Sequence, residues 1–249
     1  MTLEITDLIK RYGDKTAIDI PRLKIVRGET FGLVGSNGAG KTTFLRLVLD
    51  LLLPDLGSAV LGGINVRSST AWKEYTGAYL DESFILDFLT PGEYLKFIGR
   101  TQGLSDREIE ELVAPFQPFV PAESLQASTK FLRELSKGYA KKIGLIGALA
   151  FNPGLVILDE PFANLDPGSQ IRLKSMIRRL NEEKGTTIII SSHDLLHVTD
   201  ICKRIAILEN GKIIRDMPTS EATLRDLQRY FTTSELSEFV ATQLRNEGD

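Results

Sequence analysis

Apolar and polar residues recur along the first third of the chain at spacings that predict short strands and one helix. Strands are predicted at 3–9 and 17–26, with a Gly-Asp turn between them. A third strand, from Thr30 to Val34, runs into a glycine-rich loop, and a helical pattern follows over 41–53, where a proline stops it. Short strands and one small helix are predicted within 58–80.

The second half of the chain alternates between helical and strand patterns. The predicted elements are helix 138–150, strand 155–159, helix 167–184, strand 186–191, helix 194–200 and strand 205–209. An Asn-Gly turn then predicts a hairpin into 212–215, and short helices are predicted near 219–230 and 233–245. Alternation of this kind favours an α/β fold with a largely parallel sheet.

A middle region, at about 83–137, departs from this alternation. It has few strand patterns, and it predicts helices at 91–103 and 105–117. The region therefore looks like a helical insertion into the α/β domain. Because the chain has 249 residues with no repeat or flexible linker, we expect a single domain over 1–249 that contains this helical subdomain.

Composition and charge narrow the classes of function. The chain has 30 basic and 33 acidic residues and a net charge of −3, so no general basic field would draw it to nucleic acid. Its one cysteine, Cys202, cannot form an intramolecular disulfide, which indicates a reducing compartment, and we expect it to be a small buried hydrophobe. No apolar run approaches the roughly 18 residues of a membrane span, so a membrane role would require a partner.

The glycine-rich loop carries the first candidate chemistry. Residues 35–42 match the pattern G-x-x-x-x-G-K-[ST], in which backbone N–H groups and a helix N-terminus face phosphate oxygens. We expect Lys41 to hold the β- and γ-phosphates and the Thr42 hydroxyl to bind Mg²⁺. The candidate ATP-binding residues of this loop are Gly35, Ser36, Asn37, Gly38, Ala39, Gly40, Lys41, Thr42 and Thr43.

Two acidic residues follow a wholly apolar strand in the second half. Residues 155–158 are apolar, and Asp159 and Glu160 come next, 118 residues or more after Lys41. Carboxylates at the C-terminal end of a buried parallel strand emerge at the edge where α/β folds bind ligands. Asp159 is suited to hold Mg²⁺ through water, and Glu160 to polarise an attacking water. Together with the phosphate loop, this pair predicts hydrolysis of a nucleoside triphosphate.

A third motif names a family. Residues 135–139 read Leu-Ser-Lys-Gly-Tyr, and Ser136 lies 23 residues before Asp159. Here the sequence resembles the ATP-binding cassette (ABC) family, whose signature peptide is Leu-Ser-Gly-Gly-Gln. The resemblance implies a P-loop NTPase core with a RecA-like, largely parallel sheet, an N-terminal antiparallel β-subdomain and an inserted α-helical subdomain. The short C-terminal helices predicted from the sequence pattern fall within 219–249.

The resemblance assigns further site residues. Tyr12 stands where the family stacks an aromatic ring on adenine, although it would also serve to cover the sheet edge. Ser136 and Gly138 of the signature would bind the ATP of a second subunit, so the resemblance implies a dimer that forms on ATP and separates after hydrolysis. Asp166 looks like part of the D-loop, and His193 looks like the switch histidine that contacts the γ-phosphate.

Three residues depart from the family pattern. Glu82 replaces the usual glutamine of the loop that joins the core to the helical subdomain. A glutamate can still bind Mg²⁺, but its negative charge near the triphosphate predicts an altered metal or pH dependence. Lys137 and Tyr139 replace glycine and glutamine in the signature, while Ser136 and Gly138 remain.

The function that the resemblance implies is that of the ATP-binding and ATP-hydrolysing subunit of an ABC transporter. It would energise a separate integral membrane permease from the cytoplasm, at the inner face of the cell membrane, as one of two nucleotide-binding subunits. Local similarity to exporter-type subunits favours export. The loop at 82–92 is the candidate for docking the permease, but Phe84, Phe88 and Tyr94 would equally fill a helical core.

Two other functions stay open on the sequence. A soluble ABC ATPase of a cytosolic assembly system, such as iron–sulfur cluster assembly, would have a chain of this size. A regulatory module would bind ATP without hydrolysing it, and the combination of Lys41, Asp159, Glu160 and His193 argues against that reading.

Overall fold

The computed structural model describes residues 1–120, 125 and 128–220. The strands in these ranges are β1 (Leu3–Tyr12), β2 (Lys15–Ile25), β3 (Thr30–Val34), β4 (Leu56–Leu61), β5 (Ile64–Asn65), β6 (Thr76–Tyr79), β7 (Leu155–Asp159), β8 (Thr187–Ser192), β9 (Arg204–Glu209) and β10 (Lys212–Pro218). The α-helices are α1 (Lys41–Val48), α2 (Pro91–Thr101), α3 (Asp106–Val113), α4 (Lys137–Leu149), α5 (Pro167–Lys184) and α6 (Leu195–Ile201). In the part of the chain described, no helix is both long and apolar enough to cross a bilayer.

The strands form two sheets. A four-stranded sheet has the order β2-β1-β4-β5, and every pair in it is antiparallel. A six-stranded sheet has the order β10-β9-β3-β8-β7-β6, in which only the β9–β10 hairpin is antiparallel. The predicted fold class, an α/β core with an antiparallel N-terminal sheet, is confirmed.

The six-stranded sheet is covered on both faces. Every residue of β3, β7 and β8 is buried, which explains why these strands read as continuous apolar runs. Leu155 and Ile157 of β7 pack with α1 and the four-stranded sheet, whereas Val156 and Leu158 pack with the helices of the opposite face. The alternating side chains of each central strand thus join two separate cores.

Two predicted helices end earlier than expected. Helix α1 stops at Val48 rather than at residue 53, since Asp50 takes a left-handed backbone with φ of 54°. Helix α3 stops at Val113, and a 3₁₀ turn, Ala114–Phe119, continues the chain. Two prolines in that turn remove the N–H groups that an α-helix would use.

The described part of the middle region contains helices and 3₁₀ turns but no strand. Helices α2 and α3 and the 3₁₀ turns Glu82–Phe84 and Leu132–Glu134 lie between β6 and α4. The boundaries of a helical subdomain at 83–137 remain a prediction. The predicted C-terminal helices fall on 219–249, of which only residues 219 and 220 are described.

Cys202 is buried, as expected for a small hydrophobic side chain. It lies beside Gly32 of β3, between α6 and β9. Burial raises the pKa of its thiol, which disfavours the reactive thiolate.

Close packing of α4 on β6 generates a test of the fold. A Cβ on Gly77 would lie 1.9 Å from the carbonyl oxygen of Ala148, a backbone atom of α4 that cannot rotate away. We expect Gly77→Ala to lower the free energy of unfolding by about 1–3 kcal/mol, through overpacking. The matched control is Gly154→Ala, because the nearest atoms to its added methyl lie at 3.7 Å. Urea unfolding curves measure both variants, and an unchanged midpoint for Gly77→Ala would contradict this packing.

Candidate functional site

Three neighbouring parallel strands end at one edge of the large sheet. Strand β8 lies between β3 and β7, so the loops that follow these strands meet there. The amide of Gly35 donates to the carbonyl oxygen of Ser192 at 3.3 Å, and the amide of Glu160 donates to that of Ser191 at 3.2 Å. The ladder between strands therefore continues into the loops and sets their spacing.

The loop from β3 to α1 fits its surroundings only because two of its residues lack a side chain. A Cβ on Gly35 would lie 2.3 Å from the carbonyl oxygen of Leu208. Gly40 has a φ of 110°, and a Cβ there would lie 2.6 Å from the carbonyl oxygen of Ala17. Helix α1 starts directly after Gly40, and no side chain caps its first amide groups. These amides and the helix dipole make an anion site.

Lys41 lies under this loop with its side chain buried. Its Nζ donates to the carbonyl oxygens of Gly35 at 2.7 Å and Ser36 at 3.1 Å, and it lies 3.4 Å from Oε1 of Glu160. A buried ammonium held mainly by neutral carbonyls retains the capacity to attract an anion. Its position at the loop suits a phosphate group.

Thr42 and Asp159 supply adjacent oxygen atoms. The Thr42 hydroxyl donates to Oδ2 of Asp159 at 2.5 Å, while Ser191 donates to the other carboxylate oxygen. Hydroxyl and carboxylate oxygens are the donors that Mg²⁺ prefers, and Mg²⁺ commonly takes few protein ligands, with phosphates and water completing its octahedron. Thr42 and Asp159 thus fit a Mg²⁺–triphosphate, and among the described residues there is no larger cluster of metal-ligating side chains.

Glu82 lies apart from this pair of oxygens. It is exposed, it does not border the cavity, and its Oε1 accepts a hydrogen bond from the Tyr79 hydroxyl at 3.0 Å. Burial, and then the nearby Glu82 carboxylate, raises the pKa of Tyr79, so this hydroxyl stays a donor. A contact between Glu82 and Mg²⁺ would require the loop that carries Glu82 to move towards the cavity.

Glu160 and His193 come together at the mouth of the same site. Oε2 of Glu160 lies 2.9 Å from Nδ1 of His193. Oε1 is buried and accepts no hydrogen bond from the described residues, although Lys41 lies nearby. A carboxylate oxygen with no donor is placed to accept a proton or to orient a water molecule.

Lys41, Thr42 and Glu160 border a cavity of about 460 Å³, a volume in the range of ligand sites, whereas Asp159 and His193 do not line it. Its lining residues are Tyr12, Lys15, Thr16, Ala17, Asn37, Gly38, Gly40, Lys41, Thr42, Thr43, Glu160, Asn210 and Gly211. Gly35, Ser36 and Ala39 belong to the same loop but do not line this cavity. The exposed ring of Tyr12 stands at the rim.

Five lining residues were not anticipated from the sequence: Lys15, Thr16, Ala17, Asn210 and Gly211. They come from the start of β2 and from the β9–β10 turn. The Asp19 amide donates to the carbonyl oxygen of Gly211 at 2.8 Å, and the Gly211 amide donates to that of Ala39 at 2.9 Å. The Asn-Gly turn was visible in the sequence, but its contact with β2 was not.

Three predicted site residues form a second group, away from the cavity. Ser136 caps α4, accepting a hydrogen bond from the Tyr139 amide at 3.2 Å. Asp166 caps α5, and hydrogen bonds from Ser169 lower the pKa of its carboxyl group. Lys142 joins the two helix starts, since its Nζ lies 3.1 Å from Asp166. Gly138 lies in the same first turn of α4 as Lys137 and Tyr139, and a Cβ on it would lie 3.7 Å from the carbonyl oxygen of Asn164.

Comparison with known proteins assigns the chain to a family. The family model for ABC transporters matches residues 18–163, more than half of the chain. The chain belongs to the ABC transporter family. As an ATP-binding cassette it is an ATPase, and it is an ATP-binding subunit of the ABC transporter type. The resemblance inferred from the motifs is confirmed.

Curated relatives include both uncharacterised and named cassettes. An ABC transporter ATP-binding protein of Synechocystis is 35% identical over 77% of this chain and 54% of its own length. The Nod factor export ATP-binding protein I of Sinorhizobium fredii is 36% identical, over 88% of this chain and 63% of its own. The methionine import ATP-binding protein of Legionella pneumophila is 30% identical, over 85% and 63%. The chain thus spans between about half and two thirds of these relatives.

Solved structures agree with the fold. The structure of an ATP-binding subunit of an ABC transporter superposes with a TM-score of 0.79 at 27% identity and covers 93% of this chain and 94% of its own. A dimeric, post-hydrolysis ATP-binding cassette bound to ADP and Pi has a TM-score of 0.77 at 20% identity, over 88% and 99%. The second likeness shows the fold alone.

The exposed ring of Tyr12 predicts a contribution to nucleotide affinity. Stacking of a base on an aromatic ring contributes about 1–3 kcal/mol, so Tyr12→Ala should weaken ATP binding at least about fivefold. Tyr12→Phe is the matched control, since it keeps the ring and should bind as the wild type does. Titration with a fluorescent ATP analogue measures both variants. Equal affinity for Tyr12→Ala and wild type would assign the ring to covering the sheet edge instead.

Proposed function

We propose that this chain hydrolyses Mg²⁺-ATP in the cavity at the edge of the large sheet. The observation that carries the proposal is the buried Oε1 of Glu160, which accepts no hydrogen bond from the described residues and faces Lys41 at the glycine loop. In this proposal Glu160 accepts the proton of the attacking water, and His193 orients Glu160 and contacts the γ-phosphate. Lys41 and the loop amides stabilise the negative charge that develops on the phosphate oxygens.

The metal contacts follow from the same geometry. Thr42 and Asp159 would hold Mg²⁺, which when bound screens the phosphate charge. Glu82 would approach the metal only after releasing Tyr79, so we infer that this third contact depends on movement of the loop. The adenine would lie at the rim, on Tyr12.

A second copy of the chain would complete the site. Ser136, Gly138 and Asp166 do not border the cavity of their own chain, which supports their action on the nucleotide of a partner copy. Ser136 opens a helix of 13 residues, whose N-terminal amides suit phosphate oxygens. We infer a homodimer that forms on ATP and separates after hydrolysis. One structural neighbour is itself described as dimeric, but at its low sequence identity the likeness supports only the fold.

The docking loop at 82–92 supports a membrane permease as the other partner. Phe84 and Phe88 are 48% and 54% exposed, whereas Tyr94 is buried in the helical core. Exposure therefore favours docking for Phe84 and Phe88, and core packing for Tyr94. The loop is fixed at its end, because the amide of Leu132 donates to the carbonyl oxygen of Leu89 at 2.8 Å. An ordered loop with two exposed rings suits an apolar helix of a partner at the inner face of the membrane.

Export is the direction that we propose for transport. The Nod factor export protein is 36% identical to this chain, against 30% for the methionine import protein. The difference is small, and the exporter-type sequences around the glycine loop support the same direction. The permease, rather than this chain, would select the substrate.

Replacement of Glu160 tests the catalytic assignment. Glu160→Gln keeps the size of the side chain but cannot accept a proton, so turnover should fall about 100-fold or more. ATP should then remain bound, and dimers should accumulate in size-exclusion chromatography with light scattering. Glu183→Gln, at an exposed ion pair with Arg179 on α5, is the control and should match wild type. Equal hydrolysis by Glu160→Gln and wild type would overturn the assignment.

Replacement of both exposed phenylalanines tests the docking loop. The tagged chain should recover a polytopic membrane protein from gently solubilised membranes, as identified by mass spectrometry. Phe84→Ser with Phe88→Ser should abolish this recovery at unchanged basal ATPase activity, whereas Ile171→Ser, on an exposed apolar residue of α5, should not. Unchanged recovery by the double variant would contradict docking at this loop. Recovery of soluble partners alone would favour the cytosolic assembly ATPase.

A further inference from the structure

A lysine in the first turns of α4 has an unusual position. Lys141 follows Ser136 by five residues, and only 5% of its surface is exposed. Burial of an ammonium group costs free energy unless hydrogen-bond acceptors surround it. A buried lysine on a helix whose first residue, Lys137, is exposed therefore has a local reason for its burial.

The acceptors of Lys141 are backbone atoms of the catalytic turn. Its Nζ donates to the carbonyl oxygen of Glu160 at 2.8 Å and to that of Ala163, also at 2.8 Å. The Tyr79 ring lies against the ammonium, with its centroid 5.7 Å from Nζ. The ammonium thus joins the two ends of the turn that follows β7.

This turn needs support from outside. Glu160 has a φ of 46° and Asn164 a φ of 60°, so two residues with side chains adopt the left-handed backbone. Within the turn, the amide of Ala163 donates to the carbonyl oxygen of Glu160 at a long 3.3 Å. From outside, Ser191 accepts a hydrogen bond from the Glu160 amide at 3.0 Å. Lys141 adds two shorter hydrogen bonds, to the carbonyl oxygens of Glu160 and Ala163.

We propose that Lys141 is a positioning residue for ATP hydrolysis, which holds the backbone of the Glu160 turn so that the Glu160 carboxylate faces the nucleotide cavity. The proposal rests on the proposed role of Glu160. It also gives α4 a direct mechanical link to Glu160, because Ser136 and Lys141 belong to the same helix start. A shift of α4, when Ser136 engages a partner's nucleotide, would move this turn.

Tyr79 extends this link towards the docking loop. Its ring touches the Lys141 ammonium, and its hydroxyl donates to Glu82 at the start of 82–92. Displacement of Glu82 would therefore remove the hydrogen-bond acceptor of the Tyr79 hydroxyl. The ring of Tyr79 neighbours the Lys141 ammonium, which holds the Glu160 backbone. The chain of contacts from the loop to the Glu160 backbone has only two intervening side chains.

Substitutions at Lys141 separate positioning from folding. Lys141→Met keeps the length of the apolar side chain and removes both hydrogen bonds, while Lys141→Arg restores donors. We expect Lys141→Met to lower kcat about 10- to 100-fold, as misplacement of a reacting group does, with KM and the affinity for a fluorescent ATP analogue within about threefold of wild type. Lys141→Arg should recover kcat to within about fivefold of wild type.

A matched lysine provides the control. Lys174 of α5 is mostly buried and its Nζ lies 5.9 Å from the ring centroid of Phe162, which belongs to the Glu160 turn, but its hydrogen bond goes to Asp200 rather than to the backbone of that turn. Lys174→Met should retain wild-type kcat. All variants are assayed well below their melting temperatures, and Glu160→Gln is measured beside them.

The outcomes distinguish the two levels of the proposal. Wild-type kcat for Lys141→Met, with Glu160→Gln inactive, overturns the positioning role alone. A loss in Lys141→Met that matches a loss of ATP affinity or of folded protein also overturns it, as does an equal loss in Lys141→Arg. Wild-type turnover by Glu160→Gln would overturn the role of Glu160, and the positioning role with it.

Discussion

The site depends on the parallel pairing of β8 with β3 on one side and β7 on the other. This ladder does not stop at the strand ends, since the amides of Gly35 and Glu160 still donate to the carbonyl oxygens of Ser192 and Ser191. Two loops that are far apart in sequence are therefore held on either side of β8, two strand spacings or about 9.6 Å apart. The phosphate loop and the acidic pair need no further element to bring them together.

The charge balance of the cavity follows from this spacing. Lys41 reaches two loop carbonyls and approaches Glu160, while Thr42 donates to Asp159. Each polar group is thus held by a partner that a phosphate or a cation would replace. A binding site arranged in this way is preorganised, because its side chains already occupy the positions that the bound state requires. The Glu160 oxygen that carries the proposed chemistry is buried and accepts no hydrogen bond from the described residues.

The sequence predicts well those features that local patterns encode. The glycine loop, the apolar strand β7 and the helix starts at Lys41 and Pro167 agree closely with the structure. The sequence does not predict the contact of the Asn210 turn with β2, because a hairpin signal says nothing about its tertiary neighbour. Nor does it predict the burial of Lys141. A lysine in a helix with other lysines nearby is usually expected on the solvated face. Nor does the sequence show that Phe84 is exposed while Tyr94 is buried, because that difference arises from tertiary packing.

The two groups of predicted site residues are linked through α4, although in the proposed dimer they would face different nucleotides. Ser136 begins the helix from which Lys141 reaches Glu160 and Lys142 reaches Asp166. One helix start is therefore linked both to the group that would polarise water in its own cavity and to the cap of α5. Because packed elements shift between discrete arrangements rather than deform continuously, contact with a partner's phosphate at Ser136 would change the position of Glu160. In the proposed dimer, hydrolysis in one cavity would thus depend on occupancy of the other, through Lys141.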